Sequence, residues 1–426
     1  MKIGKRLRRG EGVHQFGRFG GVFCDDASES AVEIRREDGV IFFGEPLGDL
    51  FDVVVQPPPL LKQDDAGSAG PLGAAEKRRE KGALGGIFDQ AGEAVGGDTG
   101  NLIARLPATD PSIPPLLLSA HMDTVVPGEG IKPVVEGKKI RSDGRTILGG
   151  DDKSGIAIIV ETLRTLREER APHGEIEVVF TICEEFGLIG AKHLDTTRLK
   201  SKYGLVLDCD NVGFLFTRSP SSDRLEFKVH GLEAHAGVCP ERGISAIQIA
   251  AEAIGRMKLG RIDDETTANI GTIQGGSATN IVPNYVYVKA ESRSHSEEKL
   301  AAQTAHMREC FRQAAEKFSV EIDGKKIAGR IEEKIWRDYD RMDVPEKSPI
   351  VERVMKAAKG LSYTVRTKAT GGGCDANVFN RKGITVANLG TGMHDIHTVK
   401  EWLSVDEMTR AAEIVLGVLK ENRTMK

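Results

Sequence analysis

Short apolar runs recur along most of the chain, at 101–106 (NLIARL), 115–120 (PLLLSA), 176–182 (IEVVFTI), 203–207 (YGLVL) and 384–389 (ITVANL). Each is bounded by turn-forming or charged residues and has the length of a buried strand. Between them apolar residues return at helical spacing, most clearly over 154–169. Strands that alternate with helices imply βαβ units, and so an α/β fold: a mostly parallel sheet with helices on both faces. The middle of the chain has another rhythm. Apolar and polar residues alternate over 225–229, a helical pattern covers 244–257, strand patterns cover 268–274 and 285–290, a helix covers 296–318, and a last strand covers 320–327. That βαββαβ order is the ferredoxin-like α+β signature. It places an inserted domain at 222–335, interrupting an α/β domain built from 87–221 and 336–426 that resumes with a helix over 349–361.

The pattern fails before residue 87. Gly is dense, Lys and Arg cluster at 5–9 and 77–81, and Pro57–Pro59 closes the one strand-like run, 52–55. Residues 1–86 read as an anomalous or disordered N-terminal segment, either a divergent extension or the product of a shifted reading frame. A length of 426 residues fits the two folded domains that remain. With 59 Lys+Arg against 63 Asp+Glu the formal charge is -4, so no basic excess points to nucleic acid. The 6 cysteines are scattered and form no CxxC pair, which argues against a disulfide framework and a thiolate zinc site and fits a reducing cytosol. No apolar run is long enough to cross a bilayer, and MKIGKRLRRG is followed by a polar, Gly-rich stretch where a secretory signal would be apolar. The expectation is a cytoplasmic protein without a membrane partner.

Chemistry enters through the polar residues at the strand ends. His121 and Asp123 follow PLLLSA, Asp151 and Asp152 lie in LGGDDKSG before the next helix, Glu184 and Glu185 follow the run 176–182, Asp208 follows YGLVL, and His397 lies in GMHDIHT beyond ITVANL. In open α/β sheets ligands bind beyond the carboxyl ends of the strands, so these groups are placed to converge. Imidazoles and carboxylates are ligands that Zn²⁺ and similar ions accept, and a carboxylate can bridge two of them. Two divalent ions about 3.5–4 Å apart can share a hydroxide and polarise a carbonyl. A carboxylate free of the ions is then needed to move protons, and a Glu-Glu pair offers one side chain to each task. Taken singly, each element has a local explanation: Asp152 or Ser154 would cap a helix, Asp208 has a rival in Asp210, and His397 has one in His394.

SAHMDTV, LGGDDKSG, TICEEFGLIGA, LDCDNVG, HGLEAHAGVCPERGISAI and GMHDIHTVKEW together resemble the dinuclear zinc exopeptidase family of carboxypeptidase G, aminoacylase and peptidase T. The likeness spans about residues 88–420 and is greatest to the peptidase T-like tripeptide aminopeptidases. It implies that His121, Asp151 and Asp208 hold one zinc ion, that Asp151 bridges, and that Glu185 and His397 complete a second site. It also implies Glu184 as general base and acid, Asp123 as the residue that orients His121, and a cis peptide between Asp151 and Asp152. For the insert it implies a lid and dimerisation domain. There His235 would stabilise the oxyanion, often across a homodimer, and Asn280 and Arg293 would grip the peptide. Gly371 stands where peptidase T itself carries an Arg, so the likeness does not extend to strict tripeptide specificity. The Gly-rich segment around Asp375 is read either as shaping the substrate pocket or as a backbone turn.

The expected function is therefore a metal-dependent exopeptidase releasing the N-terminal residue of short peptides, with two divalent ions, zinc or alternatively cobalt or manganese. An N-acyl amino acid amidohydrolase or carboxypeptidase would use the same site. A non-catalytic metal-binding protein would have no use for Glu184.

Overall fold

The computed structural model describes residues 34–37, 40–43, 51–54 and 84–424. Most of the segment 1–86 lies outside these residues. Within it the backbone forms short strands at Ile34–Glu37, Val40–Phe43 and Phe51–Val54, the last pairing parallel with Leu84–Phe88. The chain divides into two compact units, one of 1–217, 344–368 and 374–426, the other of 218–343 and 369–373.

The first unit is built on strands β1 (Leu84–Phe88), β2 (Leu102–Leu106), β3 (Leu116–His121), β4 (Ile176–Thr181), β5 (Tyr203–Cys209) and β6 (Thr385–Gly390), in the order β1-β2-β4-β3-β5-β6. The four strands β4, β3, β5 and β6 run parallel, and β1 and β2 add antiparallel at one side. The parallel core follows from the crossovers. Helix α1 (Gly150–Glu168) lies between β3 and β4, and α2 (Ile189–His193) lies between β4 and β5. Because β2 reaches β3 without a helix, it is free to run the other way. β3 and β4 are buried at every position, as strands covered on both faces must be. Helix α3 (Pro349–Gly360) packs with α5 (Val405–Glu421), which also packs with α1, while α2 packs with α4 (Asp375–Arg381).

Two departures from regular pairing locate the chemistry. β3 leads to β4 on one side and has β5 on the other, so a crevice opens at the carboxyl end of β3, where His121 stands. Between Val206 and Cys209 the register of β5 against β6 shifts. There Asn388 replaces the missing ladder bonds: its Oδ1 accepts from the Asp208 amide at 2.9 Å and its Nδ2 donates to the Asp208 carbonyl at 2.8 Å.

In the second unit the sheet order is Thr266–Gly275, Tyr285–Ser294, Ser221–His230, Arg330–Tyr339, with Gly260–Arg261 at the edge. Ala246–Arg256 and Glu297–Lys317 are its helices, and Leu225, Phe227, Val229, Val288, Met307 and Phe311 fill the core. The Phe227 and Phe311 rings stack with centroids 4.0 Å apart. This is the ferredoxin-like arrangement, with one correction. Residues 320–327 are not its last strand. They form a hairpin, Ser319–Ile322 with Lys325–Ala328, turning at Asp323 and Gly324, both at positive φ. The fourth sheet strand is Arg330–Tyr339, RIEEKIWRDY. Between Ile331 and Ile335, which pack on the core, stands the exposed Glu333, paired with Arg308 of the helix, so the apolar alternation is broken and the pattern is hard to see.

Candidate metal and catalytic site

His121 ends β3 and is 2 % exposed. Its Nε2 lies 3.0 Å from Asp151 Oδ1 and 3.8 Å from Asp208 Oδ1, and its Nδ1 lies 3.4 Å from Asp123 Oδ1. The other oxygen of Asp151 meets His397 Nε2 at 3.0 Å, and the same nitrogen lies 2.9 Å from Glu185 Oε1. Asp151 therefore stands between the two imidazoles. Two candidate cation groups follow from the ligand atoms, His121 with Asp151 and Glu185, and His121 with Asp152 and Asp208.

The local sequence explains how these groups are aimed. In the DDK loop Asp151 and Asp152 have non-helical backbone angles, and the peptide between them is cis. Asp152 is fully buried; its Oδ1 accepts from the Gly155 amide at 3.1 Å, capping the regular helix, while Oδ2 accepts from the His121 amide at 3.1 Å. One carboxylate thus fixes the helix start to the strand end. The approach is close enough to exclude a side chain at Gly155, where a Cβ would lie 2.1 Å from the Leu207 carbonyl oxygen. Glu401, 1 % exposed, holds the loop from the other side. Its Oε2 accepts from the amides of Leu148 and Gly149 at 2.7 and 2.8 Å, and its Oε1 accepts from that of Asp151 at 2.9 Å.

Asp123 joins the halves of the site. Beyond its contact with His121, its two oxygens accept from the amides of Glu184 and Glu185 at 3.0 and 3.1 Å. The buried ammonium of Lys153 donates to the Met122 carbonyl at 2.6 Å and keeps the Asp123 loop in place. Glu184 is buried behind this turn, and near it lies Asp375, whose Oδ2 accepts from Thr181 Oγ1 at 2.5 Å.

Electrostatics record the crowding of like charge. Burial and neighbouring carboxylates push Asp208 well above the usual carboxylate range. Burial raises Glu184 in the same direction, with Asp375, Glu185 and Asp151 adding to it against His121. Burial carries Asp375 to about 6. Burial disfavours the charged form of His121, but Asp123, Asp151 and Asp208 outweigh it and raise the imidazole well above its ordinary value. The hydrogen bonds to Asp151 and Glu185 lift His397 to about 10. Protons are held here because negative charge exceeds what the side chains can balance.

The remaining residues singled out in the sequence lie in the second unit. His235 forms a bridge with Ile281, and the Ala236 amide donates to the Asn280 carbonyl at 2.9 Å, so His235 and Asn280 sit on adjoining turns. Arg293 bonds Glu291 at 2.9 Å, and among the described residues its buried Nε has no hydrogen-bond partner. The rivals are engaged locally. Asp210 is exposed and accepts from the Asn211 amide, and His394 bonds Glu407 at 2.6 Å and stacks on Trp402. Sequence reasoning passed over Glu401 and Asn388. Their only signal was position, a Glu four residues after His397 and an Asn inside an apolar strand.

Residues 117–421 match the model of peptidase family M20/M25/M40. Uncharacterized protein YqjE of Bacillus subtilis is 42% identical over 334 residues, covering 78% of this chain and 87% of that protein. The crystal structure of aminopeptidase PepT from Bacillus cereus is 42% identical, covers 80% of this chain and 89% of that one, and superposes with a TM-score of 0.72. A tripeptidase from Staphylococcus aureus is 37% identical over the same shares of the two chains, with a TM-score of 0.75.

Proposed function

This chain belongs to peptidase family M20/M25/M40, and from that premise we propose that it is an aminopeptidase releasing the N-terminal residue of short peptides with two divalent cations. His121, Asp151 and Asp208 would hold one cation, and Glu185 and His397, together with Asp151, would hold the other. Zinc is the favoured ion for this mixture of imidazole and carboxylate, with cobalt and manganese as alternatives.

One observation carries the reading. A single ring nitrogen, His397 Nε2, lies 2.9 Å from the buried Glu185 Oε1 and 3.0 Å from Asp151 Oδ2. One N–H cannot donate fully to two carboxylates, and an under-satisfied buried acceptor is costly; a cation among Glu185, Asp151 and His397 would satisfy all three. When bound, such ions supply Lewis acidity and a water of lowered pKa. The chain's own residues do the rest. Asp123 keeps His121 Nδ1 engaged and leaves Nε2 for the ion. Glu184, held next to the site by the Asp123 bond to its amide, takes a proton from the attacking water and passes it to the leaving amine. The inserted unit serves as the lid, with His235 stabilising the oxyanion and Asn280 and Arg293 gripping the substrate. A cytoplasmic homodimer is the assembly that goes with this reading. Among the described residues no helix is long and apolar enough to cross a membrane.

The test is metal content together with turnover. Reconstituted protein is expected to hold near two ions per chain and to cleave a tripeptide but not its N-acetylated form. Glu184→Gln is expected to keep the ions and to lose about 10²–10⁴-fold in kcat. Fewer than one ion per chain, cleavage confined to the blocked substrate, or full activity in Glu184→Gln would each overturn it.

A further inference from the structure

The described residues show where their largest exposed apolar side chains are spent. The three most exposed are Val126 at 88%, Phe186 at 83% and Val238 at 74%. Each lies within three positions of a candidate site residue, Asp123, Glu185 and His235 respectively. Isolated exposed apolar residues need no explanation, but this placement is not scattered. Val126 and Phe186 also belong to the two loops that Asp123 ties together through the amides of Glu184 and Glu185.

Phe186 is the sharper case. The turn that carries it is rigid: the amides of Gly187 and Leu188 both donate to the Glu184 carbonyl, at 3.0 and 2.8 Å. Both residues have positive φ. The same turn buries Leu188 to 3% exposure. A chain able to bury Leu188 here instead holds the larger ring of Phe186 in solvent. Exposure along the candidate ligands shows which way the site opens, since side-chain exposure rises from 2% at His121 through 12% at Glu185 to 49% at His397. Phe186 directly follows Glu185 and is 83% exposed, so its ring lies in solvent next in the chain to a candidate ligand. Adjacent residues of an extended peptide advance by about 3.3–3.6 Å. A peptide bond lodged between Asp151 and Glu185 therefore brings its flanking side chains within reach of the ring.

Resting on the function proposed above, we infer that Phe186 is a specificity-determining residue. It packs on an apolar side chain next to the scissile bond, so that the substrates are short peptides with an apolar residue there. The ring's chemistry selects by area removed from water and supplies no charge or hydrogen bond.

The experiment compares kcat/KM of the metal-loaded full chain and its Phe186→Ala and Phe186→Leu forms on Leu-Gly-Gly, Gly-Leu-Gly and Gly-Gly-Gly, with oligomeric mass measured by sedimentation. The wild type is expected to prefer a leucyl peptide. Phe186→Ala is expected to lose about tenfold in kcat/KM on that peptide, mainly through KM, while triglycine changes less than about twofold. Phe186→Leu should recover most of the loss. An equal loss on triglycine, no loss on any peptide, or a change in oligomeric mass would overturn the inference, by assigning Phe186 to the turn, to no contact, or to an interface between copies. Failure of the wild type to cleave any of the three would instead overturn the aminopeptidase reading, and the inference with it.

Discussion

Replacing Glu401 tests whether the DDK loop is held by chemistry that lies outside the ligand set. Its carboxylate takes three backbone amides, those of Leu148, Gly149 and Asp151, all at 2.7–2.9 Å, and is 1 % exposed. Burial pushes this carboxyl above its usual range while those amides pull the other way. In Glu401→Ala three N–H groups lose their acceptor in a closed environment. At about 1–3 kcal/mol for each buried donor left unmade the gross penalty is about 3–9 kcal/mol. Water entering the vacated space recovers part of it, so we expect a loss of about 3–5 kcal/mol. There is little room for the loop to relax instead, because a Cβ on Gly150 would already lie 2.7 Å from Leu403 Cδ2, which the substitution leaves in place. Glu401→Gln keeps the shape but turns an amide N–H₂ towards at least one donor, and is expected to cost about 1–3 kcal/mol. Because the Asp151 amide is among the three, both changes should also weaken metal binding, by about 10–100-fold, as loss of a ligand's support does. Urea unfolding of the metal-free protein gives the first quantity and equilibrium metal titration the second. Wild-type stability together with wild-type metal affinity in Glu401→Ala would refute the reasoning.

Two further outcomes follow from the same geometry. Asn388→Ala removes both clamps on the Asp208 backbone at the β5 irregularity, and is expected to lower metal affinity about tenfold with a stability loss of about 1–3 kcal/mol; unchanged affinity by titration would show that the strand alone sets Asp208. Chelation should lower the melting temperature, because ions that bind only the folded chain contribute about 2.7 kcal/mol at a hundredfold excess over Kd; calorimetry with and without chelator that gave one melting temperature would contradict a cation site in the fold.

The fold was readable where a single force dominates. β3 and β4 are buried on both faces, so LLLSAH and IEVVFT are apolar runs interrupted only by Ser119, His121, Glu177 and Thr181. Arg330–Tyr339 was missed because Glu333, paired with Arg308, interrupts the alternation of Ile331 and Ile335, and no pattern of hydrophobicity can announce a charge whose partner lies on a distant helix. The candidate ligands were visible because each occupies a strand end or a helix start, where side-chain type alone is informative. Glu401 and Asn388 were not, since their work is to accept and donate backbone hydrogen bonds. A Glu after a turn or an Asn in a strand becomes meaningful only once the amides it serves have been folded into place. Asp152 shows a mixed case: the helix-cap role is legible from its position before Ser154, but its second bond, to the His121 amide, is a tertiary contact.

The local arrangement gathers negative charge that divalent cations would balance. Asp123, Asp151, Asp152, Glu184, Glu185, Asp208 and Asp375 are gathered with two imidazoles and the Lys153 ammonium as their nearby balance, and Asp151, Asp152, Glu184, Asp375 and Lys153 are nearly or wholly buried. Folding alone gives no reason to assemble such a group, because removing unpaired carboxylates from water is among the most expensive steps available to a chain. Burial and neighbouring carboxylates push Asp208, Glu184 and Asp375 up, and the carboxylates around them raise both histidines. One proton on His397 Nε2 is shared between Glu185 Oε1 and Asp151 Oδ2, whereas a divalent ion would engage several of these atoms at once; in replacing the protons such ions would leave the imidazole nitrogens free to ligate and the Glu184 carboxylate free to accept a proton. The fixed scaffold of Asp123, Asp152, Lys153, Asn388 and Glu401 is thus the part of the machinery that the chain must supply before any ion arrives.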